Sequence, residues 1–211
     1  MEVAIAIVNR RLLAAMVAFS LAVLATFAIL AVFHLHHPVL TGSGVAYGAS
    51  LVASCLCSLL YDINRQRPLR RLLRLLDHSA IFLLIAGTYT PFVVFGIAGP
   101  FGISLSAWVW TMAVAGIGLK LLLGERHETF FVLFYLAFGW LFLSALPVLA
   151  RNTPPLALGL LVAGGVAYSL GAVIYWRGRG HWANVIWHGF VFAGVAVHFL
   201  SVLSLVLATP A

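Results

Sequence analysis

Apolar residues in this chain gather into long runs, separated by short breaks that carry charge, glycine or proline. A helix needs about 20 apolar residues to cross a bilayer. Seven such runs are read at 12–33, 45–61, 78–97, 103–123, 130–149, 156–176 and 185–208, the second being the shortest. The breaks run from His34 to Gly44, Asp62 to Asp77, Ala98 to Gly102, Gly124 to Thr129, Arg151 to Pro155 and Arg177 to Asn184. Within lipid, only helices and closed barrels satisfy their own backbone, so the runs are predicted to be helices. The pattern predicts one all-α integral membrane domain over residues 1–211, a bundle of seven transmembrane helices. No break is long enough to house an active site, so any chemistry must sit between helices. Arg10 and Arg11 precede 22 uncharged residues. A secretory signal has an apolar core of only about 7–15 residues, so the first run reads as an uncleaved span.

Composition narrows the class further. Hydrophobic residues make up 64% of the chain and charged residues 8%, against roughly 45–50% and 25% in soluble domains. That excludes a cytosolic enzyme, a disordered chain and a nucleic-acid module. The net charge of +7 therefore reads as membrane orientation, with lipids as partners, rather than as a nucleic-acid footprint. Cys55 and Cys57 lie within an apolar run and read as small buried hydrophobes.

The basic residues sort by side. Arg10, Arg11, the cluster from Arg65 to Arg74, Lys120, Arg126, Arg177 and Arg179 all fall on one side of a seven-span layout. Arg151 alone falls on the other. Eleven against one places the N-terminus in the cytoplasm and the C-terminus outside. The arginine cluster also suits contact with anionic headgroups.

Ionisable residues inside spans are costly and become functional candidates. Asp62 ends the second span, and Asp77 and His78 open the third. His188 lies just inside the seventh, with Asn184 one turn before it on the same face. Asp62, Asp77, Asn184 and His188 all fall at the cytoplasmic face and converge if the second, third and seventh spans are neighbours. A carboxylate and a histidine can ligate zinc, and a second carboxylate can take a proton from bound water. The residues alone leave a blander reading open: Asp62 and Asp77 flank the arginine cluster, and Asp77 caps the third span. His198, about 15 Å deeper at 1.5 Å per residue, reads as a packing histidine bonded across the bundle. His34, His36 and His37 read as interfacial. Pro91 removes a backbone hydrogen bond and predicts a kink, with Thr88 or a neighbouring helix satisfying the freed carbonyl.

The run Asp77-His78-Ser79-Ala80-Ile81-Phe82-Leu83-Leu84-Ile85-Ala86-Gly87-Thr88-Tyr89-Thr90-Pro91-Phe92 resembles the signature of the hemolysin III family, the bacterial branch of the progestin and adipoQ receptor superfamily. Tyr47-Gly48 and Ser58-Leu59-Leu60-Tyr61 resemble that family's second span. Ile186-Trp187-His188, Gly194 and His198-Phe199 resemble its last. The resemblance implies a bacterial inner-membrane bundle with zinc near its cytoplasmic face. It extends to relatives, including the alkaline ceramidases, associated with hydrolysis of lipid amides. The family pattern takes one histidine from Ser-x-x-x-His at the end of the second span. Two more come from His-x-x-x-His at the start of the seventh. An aspartate opening the third span holds the water.

By that resemblance Asp77 is the catalytic aspartate, Ser58 supports it, and His188 is a metal ligand. Two ligand positions depart: Asp62 stands where the pattern has histidine, and so does Asn184. The Asn-x-x-x-His motif of the N-terminus is also broken, since Asn9 is followed by Leu13. Asp62 can replace histidine as a zinc ligand. The Asn184 amide is a weak one that suits harder cations. His181 is a further donor if it bends in from the loop. Two readings follow. One is a metal-dependent hydrolase of a lipid amide or ester, with zinc as cofactor. The other is a receptor-like, cytolytic or lipid-interacting protein with no bound metal. A transporter is disfavoured by the lack of an internal repeat. A retinal protein is excluded because the only lysine, Lys120, lies outside the last span.

Overall fold

A computed structural model describes residues 1–33, 38–64, 66–97, 99–178 and 180–208; for 38–41, 67 and 181 it describes the backbone alone. The described residues hold helices and no strand. These are α1 (Glu2–Phe33), α2 (Pro38–Ile63), α3 (Arg67–Pro91), α4 (Gly99–Leu123), α5 (Glu128–Gly139), α6 (Leu146–Asn152), α7 (Pro155–Arg177) and α8 (His181–Ala208). A π-helical segment, Phe92–Ile97, extends α3, and a 3₁₀ segment, Leu141–Ala145, joins α5 to α6. Seven helical stretches are long and apolar enough to cross a membrane. The chain is an integral membrane protein of seven spans, as the run pattern predicts. His34, His36 and His37 lie outside the described residues, as does the side chain of His181.

Helix ends differ from expectation at three places. The first helix begins at Glu2, not near residue 12, so Asn9 and Arg10 are helical. The third begins at Arg67, so most of the expected arginine loop is helix. Pro68 suits a first helical turn, and Leu69, Leu72, Leu73 and Leu76 set an apolar stripe beside Arg70, Arg71 and Arg74. Asp77 therefore lies well inside α3 and does not cap it; Gln66 holds the N-cap position. The fifth span is broken between Gly139 and Leu146. There the Phe142 amide donates to the Tyr89 hydroxyl at 2.8 Å, and that hydroxyl reaches the Phe138 and Gly139 carbonyls at 3.0 and 2.9 Å. One side chain thus satisfies backbone groups that lipid could not.

At Pro91, α3 passes into the π-helical segment. The Thr88 hydroxyl donates to Leu84 O at 2.8 Å. It therefore serves a carbonyl other than that of Gly87, four residues before the proline, which the missing amide would have served.

Helix α3 stands between two packed clusters. On one side Leu13, Phe27, Tyr47, Leu51, Val195 and Val202 join α1, α2 and α8. On the other Phe82, Ala86, Val109, Ala113, Phe131 and Phe138 join α3, α4 and α5. Lipid tails are as apolar as these side chains, so close packing and interhelical hydrogen bonds carry the association. Small residues permit it: a Cβ at Gly116 would overlap the Phe82 ring, and one at Gly164 the His198 imidazole. His198 Nε2 donates to Leu161 O at 3.1 Å, and Ser201 Oγ to Ala157 O at 2.5 Å, stapling α8 to α7. His198 is thus the packing histidine the sequence predicts.

Candidate functional site

Helix α1 neighbours α2 and α8, and α3 touches both α2 and α8. The end of this group that carries the arginines of α1 and α3 brings together most of the polar residues singled out from the sequence. Asn9 is the link between two of them. Its Nδ2 donates to Asp62 Oδ1 at 2.8 Å, and its Oδ1 lies 2.7 Å from His188 Nδ1. The amide orientation set by Asp62 makes that oxygen an acceptor, so His188 Nδ1 carries the proton. His188 Nε2 is left with its lone pair. Arg10 Nε lies 3.6 Å from Asp62 Oδ2, an oxygen that is buried and has no hydrogen-bond partner. Asn9 is buried and Asp62 and His188 are half-buried, so an unmade bond here would be costly.

Beside this chain, the Ser58 hydroxyl donates to Asp77 Oδ1. The pairing of α2 with α3 puts these two face to face. Asn184 stands one turn before His188 at the cavity rim, exposed. Toward the start of α3, Arg74 pairs with Glu125 at 3.1 Å and with Glu128, and Arg70 lies 4.7 Å over the Tyr61 ring.

A cavity of about 280 Å³ opens among these groups. Asn9, Ser58, Asp62, Asp77 and His188 line its polar part, and Leu84, Phe92, Ile97, Leu149 and Leu161 line its apolar part. Cys55, on its wall, is buried and free.

The donor chemistry bears on the zinc that the resemblance implies. A zinc centre of the hydrolytic kind takes three protein ligands. Among the described residues, no three His, Cys, Asp or Glu side chains are grouped to hold one ion. Asp62 Oδ1 is taken by Asn9, Asp62 Oδ2 faces the Arg10 cation, and the Asn184 amide is a poor third donor. This donor set does not fit a three-ligand zinc centre.

Sequence reasoning missed Asn9 because the first span was placed after it. The broken Asn-x-x-x-His remnant was the signal: the asparagine is retained and buried even where its histidine is gone. It also missed the Arg74 pairs, which depend on the turn between α4 and α5.

The model of the family described as "Haemolysin-III related" matches residues 11–199. The chain is 40% identical over 163 residues to "Hemolysin-3" of Bacillus cereus, covering 77% of this chain and 74% of that protein. It is 34% identical over 164 residues to "Hemolysin-3 homolog" of Bacillus subtilis (strain 168), covering 78% and 77%. "Monocyte to macrophage differentiation factor" of Homo sapiens is 29% identical over 171 residues, covering 78% and 70%.

Proposed function

Because the chain belongs to the haemolysin-III related family, we propose that it hydrolyses an amide or ester bond of a lipid at the cytoplasmic face of the bacterial inner membrane. One observation carries this reading: a single cavity joins the polar group around Asn9, Asp62, Asp77 and His188 to an apolar interior. An amphiphile would lay its chain among the apolar residues and its polar linkage among the others. The cytoplasmic assignment rests on the eleven-to-one distribution of basic residues.

In this proposal His188 Nε2 takes a proton from the attacking water and returns it to the leaving group. Asn9 holds the imidazole tautomer and orientation, and Asp62 holds Asn9. The logic is that of triads in which a third group orients the base. Asp77, with one oxygen held by Ser58, keeps the other for the water or the substrate amide.

A second reading is lipid binding without turnover, as a receptor-like or cytolytic protein. It is favoured by the incomplete ligand set: Asn184 is exposed and Asp62 is drawn to Asn9 and Arg10. Purified protein offered a long-chain N-acyl amide separates the two. Release of fatty acid that falls about a hundredfold or more on His188→Ala supports hydrolysis. No release by wild type leaves the second reading. Metal analysis of the same sample adds an arm. About one zinc per chain, lost on His188→Ala, would replace the histidine base with a metal-activated water.

A further inference from the structure

Lys120 lies one turn before the end of α4 and is 1% exposed, yet it lines the interior cavity. Its Nζ sits 4.3 Å from the centroid of the Phe131 ring. Among the described residues no carboxylate comes within ion-pairing distance of it, since the ion pairs belong to Arg10 and Arg74. Glu125 and Glu128, the acidic residues of this corner, favour its charge from beyond that distance, but both are ion-paired with Arg74. The Tyr135 hydroxyl is committed to His78 O at 3.0 Å.

A ring face and the carbonyl end of a helix return only part of what burying an ammonium costs. Lysines near helix ends ordinarily extend to water; this one is covered and turned inward. An anion in the cavity would give it the direct partner that Glu125 and Glu128, paired with Arg74, do not. We propose that Lys120 is an anion-anchoring residue, whose ammonium pairs with the carboxylate of a single-chain lipid lying in the apolar part of the cavity. A volume of about 280 Å³ falls at the small end of the ligand-site range, roughly 300–1,000 Å³, which suits one chain rather than two. One ammonium matches one carboxylate, whereas a phosphate monoester carries about −1.5 to −2 charges.

This anchor faces α5, across α3 from the Asn9, Asp62 and His188 group on α1, α2 and α8. It requires a lipid in the cavity but no bond cleavage, so it stands or falls apart from hydrolysis.

The test uses the full chain in detergent, with palmitate, 1-hexadecanol and palmitoyl lysophosphatidate added singly and the bound fraction read by native mass spectrometry. Palmitate is expected to bind wild type about tenfold or more tighter than hexadecanol, the value of one charge-assisted bond. Lys120→Met should abolish that preference, and Lys120→Arg should keep most of it. The proposal is overturned if wild type does not prefer palmitate, or if Lys120→Met keeps the preference. A tighter, Lys120-dependent binding of lysophosphatidate would overturn the carboxylate assignment. If Lys120→Met does not fold, the wild-type comparison can still overturn the proposal, and Lys120→Gln takes the place of Lys120→Met.

Discussion

Asn9 and His188, 179 positions apart in the chain, meet through a 2.7 Å hydrogen bond. The first helix and the last are thereby fastened at one end by a neutral amide. That amide is itself held by the Asp62 carboxylate. A histidine fixed in this way keeps Nε2 for whatever enters the cavity.

Asn9→Leu removes both bonds while keeping an apolar volume. It leaves Asp62 and His188 half-buried without this partner, and a buried polar group so stranded costs about 1–3 kcal/mol. Thermal unfolding in detergent should fall accordingly. Asn9→Asp should be worse, because it sets a second carboxylate against Asp62. If His188 is the base, turnover should fall further in both variants than the loss of folded protein explains.

Ser58 and Asp77 form a direct side-chain pair between α2 and α3. Ser58→Ala and Asp77→Ala should each destabilise by about 1–2 kcal/mol. The double variant should lose less than the sum, with a coupling of about 0.5–3 kcal/mol. Additive losses in unfolding experiments would mean that the two side chains do not act together.

Tyr89→Phe tests the break in the fifth span. The hydroxyl serves the Phe142 amide and the carbonyls of Phe138 and Gly139. Its removal strands backbone groups in a lipid-surrounded bundle, at a cost of about 1–3 kcal/mol. Amide exchange should speed up around residues 139–146 and be unchanged along α8.

Glycine substitutions separate packing from propensity. Gly164→Ala drives a methyl into the His198 imidazole, and overpacking of this kind costs about 1–3 kcal/mol. Gly118→Ala meets nothing within 4 Å, and in a helix alanine is favoured by about 0.5–1 kcal/mol. Opposite signs of the two changes in melting temperature are expected.

The seven spans were legible because a bilayer demands runs of fixed length, and apolar counting finds those runs without tertiary information. Helix ends were less legible. Arg10 enters α1 by pairing with Asp62, and the arginines of α3 enter a helix that extends past its apolar run. The first fact is not local to Arg10; the second is written in Pro68 and the spacing of Leu69, Leu72, Leu73 and Leu76, which a count of apolar runs passes over. The role of His198 was readable, since a lone deep histidine in an apolar helix must find a carbonyl. Asn9 was not, because its two partners come from helices far along the chain. Lys120 read only as a topological charge. Its burial depends on Phe131, contributed by the helix after the turn.

The hydrogen-bond chain Asp62–Asn9–His188 also carries an order in time. The ribosome delivers α1 and α2 first, so Asn9 and Asp62 can meet while most of the chain is still being made. His188 arrives only with the final helix. Until α8 inserts, the early pair lacks its third member and the cavity lacks a wall. Membrane insertion of the last helix is thus the step that completes the site, and a chain stalled before it would hold two-thirds of the polar network and none of the imidazole.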